Sequence, residues 1–132
     1  MTRTPLILAS FFAMTAVMLG AFGAHGLRGH LDAGQLSTFE TGVRYQFYHA
    51  MALFVVGVLG QSACHISQGR LLRAAVWCFA IGTLLFSGSL YVLACRDLLS
   101  ANLPTFVGAL TPLGGLLFII GWLLVLLSQI RK

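Results

Sequence analysis

The chain has 132 residues, of which 58% are apolar and only 8% charged, and its mean hydropathy is +0.92. A soluble domain keeps a polar skin, with about 25% of its residues charged, so a water-soluble globule and a disordered chain are both excluded. The net charge of +5 comes from 8 Lys+Arg against 3 Asp+Glu, too sparse a set for a nucleic-acid face and in keeping with a membrane protein whose cations sit in its loops.

A helix needs about 20 mostly apolar residues to cross the hydrocarbon core. The tract between Arg3 and His25 holds no charge and no histidine, and predicts a first span over Leu6–Ala24. A signal peptide is the competing reading, with Arg3 before the apolar run and Ala21 and Gly23 suited to a peptidase. The run exceeds the usual apolar region of about 7–15 residues, which favours a retained helix. In Ala33–Gln46, Leu36, Phe39 and Val43 lead on to Phe47 at steps of three and four, an amphipathic pattern. Glu40 and Arg44, one helical turn apart on its polar side, are spaced to pair. This stretch reads as a short interfacial helix at the outer surface that then turns into the membrane.

The second span is expected over Phe47–Ala63, with His49 its one ionisable side chain. Gly69 and Arg70 mark the inner turn. The third span is expected over Ala74–Ala94, between Arg73 and Arg96. Asn102 and Pro104 break the chain in the outer turn, and the fourth span follows over Phe106–Ser128. Long apolar runs in lipid are helices, because the backbone must bond to itself. The expected fold is therefore all-α: one polytopic domain over residues 1–132, with four transmembrane helices in a bundle. Arg3, Arg70, Arg73, Arg131 and Lys132 fall on one side, and Arg28, Arg44 and Arg96 on the other. That bias predicts cytoplasmic termini.

Helices in lipid associate through small residues and shared hydrogen bonds. Ala9, Ala13, Ala16, Gly20 and Gly23 form such a stripe on the first span, and Ala80, Thr83, Ser87, Tyr91 and Ala94 on the third. Gly57 and Gly60 serve the second. Gly108, Thr111, Gly115 and Phe118 serve the fourth, where Pro112 removes a backbone donor and predicts a kink. Polar groups gather toward the outer leaflet: His25, then Arg44, Tyr45, Gln46 and His49, then Ser87, Ser89 and Tyr91, then Thr111. Four helices bring them to similar depth, the one constellation in the chain that reads as a site. Its plain reading is a hydrogen-bonded network with interfacial aromatics. An ionisable group inside a span invites a functional reading, which singles out His49 as a proton relay or as a cap on the bundle.

His25, His30, His49 and Glu40 share a side but match no zinc spacing, and no paired histidines lie deep enough for haem. Cys64, Cys78 and Cys95 fall at different depths and form no redox pair. No metal and no cofactor is expected. A buried carboxylate of the kind that small multidrug exporters use is missing from every expected span.

Gly20-Ala-Phe-Gly-Ala-His-Gly-Leu27, Thr41-Gly-Val-Arg-Tyr-Gln-Phe-Tyr-His-Ala50, Leu85-Phe-Ser-Gly-Ser-Leu-Tyr-Val-Leu93 and Thr111-Pro-Leu-Gly-Gly115 with Gly121-Trp122 occur in that order. Together they resemble the family called domain of unknown function 423, small bacterial inner-membrane proteins whose eukaryotic relatives are the transmembrane protein 256 group. The resemblance implies four membrane helices and the bacterial cytoplasmic membrane, and supplies no reaction. Its motifs include the outer-leaflet residues named above.

The leading expectation is a non-enzymatic accessory or membrane-stabilising component, in contact with lipids and with another copy or another membrane protein, and with no nucleic acid. The alternative is a small channel or carrier for an ion or neutral solute that uses the outer cluster. An enzyme acting on a lipid or quinone ranks third, and would need an apolar pocket opening beside His49.

Overall fold

The computed structural model describes residues 3–61, 66–99, 104 and 106–130. Helix α1 runs from Arg3 to His25. Pro5 stands in its first turn, where a backbone N–H has no partner within the helix to lose. At the other end the N–H groups of Gly26 and Leu27 both donate to the Phe22 carbonyl, at 2.7 and 3.1 Å. The link to α2 turns at Gly29, whose φ of 94° would strain any residue with a Cβ. Leu27 and Leu31 anchor this link in a small core with Phe39 and Ala94.

Helix α2 runs from Ala33 to Gln61. Asp32 and Gln35 cap it reciprocally: the Gln35 N–H donates to Asp32 Oδ1 at 2.8 Å, and the Asp32 N–H donates to Gln35 Oε1 at 3.0 Å. This is a capping box with Asp and Gln in the two roles. The Gln35 amide also donates to the Asp97 carboxylate, tying the start of α2 to the turn that follows the next helix. Asp32→Ala is expected to destabilise the protein by about 0.5–2 kcal/mol, the usual range for a lost N-cap. Hydrogen exchange checks it: the Gln35 amide should exchange faster while amides beyond Gln46 keep their rates.

The amphipathic stretch and the second span form one continuous helix, not a separate interfacial segment followed by a turn. The buried face of the stretch explains the continuity. Phe39 packs on the Gly23 position of α1, and Gly42 lies against Tyr91 of the following helix. The same neighbours that flank the span thus hold the stretch in line with it. Glu40 and Arg44 do not pair; among the described residues the ion pair is Arg96–Asp97 at 3.6 Å, on the surface.

Helix α3 runs from Ile66 to Ala94, so Gly69 and Arg70 lie inside it and do not form the inner turn. Helix α4 runs from Phe106 to Ile130 and continues through Pro112. Residues 62 and 63 of the second span, Cys64, Asn102, Arg131 and Lys132 lie outside the described residues.

Consecutive helices pack in turn: α1 on α2, α2 on α3 and α3 on α4. The main core holds Phe12 of α1, Leu53 and Val56 of α2, Val76 and Phe79 of α3, and Phe118 of α4. The outside is apolar too. Ile7, Met14, Leu84 and Ile119 are each more than half exposed. Such a skin marks a surface made for lipid. Among the described residues, three helices, Arg3–His25, Gln68–Ala94 and Phe106–Ile130, are long and apolar enough to cross a membrane. Helix α2 as described, Ala33–Gln61, is not among them; Glu40, Arg44, Gln46 and His49 lower the hydropathy of its first half, and the expected second span runs on into residues outside the described ones. The fold is a four-helix bundle of membrane character. In lipid, burying Phe79 gains little over leaving it against acyl chains, so close backbone approach and hydrogen bonds decide how the helices hold together.

Candidate functional site

The polar residues expected toward the outer leaflet divide into two interior groups and a set that stays outside. The first group centres on Gln46, which α2 presents between α1 and α3 and which is 5% exposed. Its amide nitrogen donates to the Phe12 carbonyl at 3.0 Å and to Thr15 Oγ1 at 2.7 Å. Its amide oxygen accepts from the Tyr91 hydroxyl at 2.8 Å. The Thr15 hydroxyl donates back to carbonyls of its own helix, so its oxygen is free to accept from Gln46. Both donors and the oxygen of the amide are therefore engaged, and one side chain ties three helices together. Phe39 lies beside the Tyr91 ring with centroids 4.9 Å apart.

The second group lies between α2, α3 and α4. Gly114 of α4 sits directly on the α3 backbone, where a Cβ would stand 2.5 Å from the Phe86 nitrogen. That close approach brings Ser89 Oγ within 2.6 Å of Thr111 Oγ1. The Ser89 hydroxyl donates to the Phe86 carbonyl, so Thr111 is the donor in the pair. One turn further into the bundle, the His49 ring stacks on Phe118 with centroids 3.4 Å apart and planes 7° from parallel. Phe79 and Trp122 stand around it at 5.5 and 6.4 Å. His49 Nδ1 meets the Tyr45 carbonyl at 2.8 Å. A carbonyl only accepts, so Nδ1 carries the proton and Nε2 is left as an acceptor.

Two expected members, His25 and Arg44, sit apart. His25 is exposed and bonds the Ala21 carbonyl of its own helix. Arg44 is exposed, whereas Tyr45, partly exposed, keeps its ring against Phe86 with centroids 4.8 Å apart and its carbonyl on His49. Ser87 is buried beside the network, yet its Oγ has no partner among the described residues. Thr111 bonds Ser89 instead of a carbonyl freed by Pro112. Among the expected packing glycines, Gly20, Gly23 and Gly57 face neighbouring helices closely. A Cβ at Gly60 would meet no described residue within 4 Å; on α4, Thr111 and Phe118 face the bundle as expected, but Gly114 makes the close contact and Gly115 only an ordinary one. The stripe on α4 runs through Gly114, Phe118 and Gly121, with Gly121 against the Phe79 ring. Thr15 and Phe79 belong to the site but were not singled out by sequence. The heptad-like spacing of Gly114 and Gly121, facing aromatic residues on α3, was the available signal. Among the described residues, no three His, Cys, Asp or Glu side chains gather as a metal site.

The chain matches the family described as Protein of unknown function (DUF423) over residues 19–115. It is 40% identical to the UPF0382 membrane protein YwdK of Bacillus subtilis over 126 residues, covering 96% of this chain and 95% of that one. This chain belongs to the DUF423 family. A UPF0382 membrane protein of Staphylococcus haemolyticus is 39% identical over 127 residues, covering 96% of this chain and 94% of its own. One from Staphylococcus aureus strain RF122 is 38% identical over the same length, with the same coverage. No solved structure matches the chain. The DUF423 match spans most of the interior network, from the end of α1 through Gln46, His49, Ser89 and Tyr91 to Thr111 and Gly114. Thr15, Phe118 and Trp122 lie beyond it.

Proposed function

We propose that this DUF423 protein is a non-enzymatic accessory component of the bacterial cytoplasmic membrane, with both termini cytoplasmic, in contact with lipids and with a second copy or another membrane protein. The engagement of Gln46 carries this reading: its amide is held by Phe12, Thr15 and Tyr91. A catalytic or transporting group needs spare hydrogen-bonding capacity toward a substrate, whereas a tie between helices uses its capacity internally. The Ser89–Thr111 bond supports the same reading for α3 and α4. These bonds also weigh against the channel alternative, because Gln46, Tyr91, Ser89 and Thr111, four of the groups that would line a path, are bonded within the bundle.

Reconstitution in liposomes tests the proposal. Vesicles carrying the protein should hold proton and chloride gradients as long as protein-free vesicles, under either polarity. A leak through the wild type that Gln46→Leu abolishes would replace this reading with the channel.

A further inference from the structure

A groove of about 610 Å³ opens sideways between α2 and α4, lined by Tyr45, His49, Phe86, Phe118, Ile119 and Trp122 among others. Its size falls in the usual range for small-molecule sites, roughly 300–1,000 Å³. Most of its wall is aromatic ring, and its rim at Ile119 faces the lipid, 67% exposed. A ligand therefore enters from the bilayer, and flat faces favour a flat guest.

One polar atom gives the groove a chemical preference. His49 is 5% exposed, and its Nδ1–H is held by the Tyr45 carbonyl. Nε2 is then a lone-pair acceptor on a residue that lines the groove, and no hydrogen bond from a described residue reaches it. His49 lines the groove together with Tyr45 on its own helix and Phe118 and Trp122 on α4. An acceptor in an apolar setting calls for a donor, since leaving it unmade is costly.

We infer that the α2–α4 groove binds a membrane-dissolved ring bearing a hydroxyl, of the quinol class, with its O–H donated to His49 Nε2 and its ring laid against Phe118, Phe86 and Trp122. The orientation follows from the two demands together. The hydroxyl must reach the His49 edge, and the substituents of the ring lie toward Leu116 and Ile119 and the acyl chains beyond. Binding alone is assigned; no electron transfer is involved. The tautomer also sets the redox form that binds. A quinol donates to Nε2, whereas the oxidised quinone offers only acceptors and meets another acceptor there. This inference does not depend on the accessory role, and a leak in the vesicle experiment would leave it standing.

Calorimetric titration of the detergent-purified full chain, corrected against micelles alone, tests it. The probes are tetramethylhydroquinone kept reduced, its dimethyl ether, the oxidised quinone, and menthol as an aliphatic ring alcohol. The hydroquinone should bind saturably. The ether and the quinone should bind about ten-fold more weakly, the worth of one hydrogen bond. Menthol should bind more weakly too, because it lacks a flat face. His49→Phe keeps a ring on Phe118 and should abolish the preference of hydroquinone over ether. Ile119→Trp fills the groove from its lipid-facing rim and should remove binding without lowering the melting temperature. It decides the matter if His49→Phe fails to fold. Equal binding of hydroquinone and ether by the wild type would overturn the inference. So would parity with menthol, a preference that survives in His49→Phe, or binding that survives in Ile119→Trp.

Discussion

Gly114→Ala should destabilise the bundle more than alanine at a neighbouring glycine. The added Cβ would stand 2.5 Å from the Phe86 nitrogen and 2.8 Å from its Cα, both backbone atoms that no rotamer change can move. Helices α3 and α4 would have to separate, and the Ser89–Thr111 bond at 2.6 Å spans the same contact. Forced overpacking of this kind typically costs about 1–3 kcal/mol. Gly115→Ala is the matched control, because its Cβ would meet nothing closer than Phe86 ring atoms at 3.8 Å. That variant should be neutral or slightly stabilising, since alanine is favoured over glycine within a helix by roughly 0.5–1 kcal/mol. Thermal melting of both variants in the same detergent makes the comparison. Equal melting temperatures would mean that α3 and α4 do not meet at Gly114.

Gln46→Leu should produce the second large loss. It removes the bonds to Phe12, Thr15 and Tyr91 and leaves the Tyr91 hydroxyl without its acceptor. A buried polar group left unpaired costs about 1–3 kcal/mol, and single interhelical bonds in membrane proteins average about 0.6 kcal/mol. The variant should therefore lose on the order of 1–3 kcal/mol. Tyr91→Phe should lose less, since it strands only the amide oxygen. The double variant decides the mechanism. Once Gln46 is leucine, the Tyr91 hydroxyl has nothing left to bond, so removing it should cost almost nothing further, or even recover stability. Strict additivity of the two losses would show that these residues do not bond each other.

Much of this architecture is legible along the chain because the bilayer is so demanding a solvent. An uninterrupted apolar tract of about 20 residues has to be a helix there, whatever its neighbours do. Hence α1 and α4 lie close to the stretches between Arg3 and His25 and after Pro104. The alanines of α1 also read correctly, with Ala9 and Ala16 buried. The extent of α2 was less legible. Its first half carries Glu40 and Arg44, the composition of an interfacial helix, and only its packing on Gly23 and Tyr91 makes it continuous with the second half. Likewise Gly69 and Arg70 have turn-like composition but continue α3, because a glycine in a helix is a modest penalty and not a stop.

The site divides along the same line. Apolar content and the spacing of small residues, properties carried by each segment alone, determined that this is a helical membrane bundle with its polar side chains toward one end. The partners of those side chains depend on helix rotation, to which periodicity is blind at the level of one residue. A rotation of about 100° per residue separates Gly114 from Gly115, and with it a contact between backbones from an ordinary one. Only the packed bundle could choose Gly114, join Gln46 to Tyr91 across more than forty residues of sequence, lay His49 on Phe118, and leave His25 outside. Those choices arise from shape complementarity between helices, which exists only once all four are side by side.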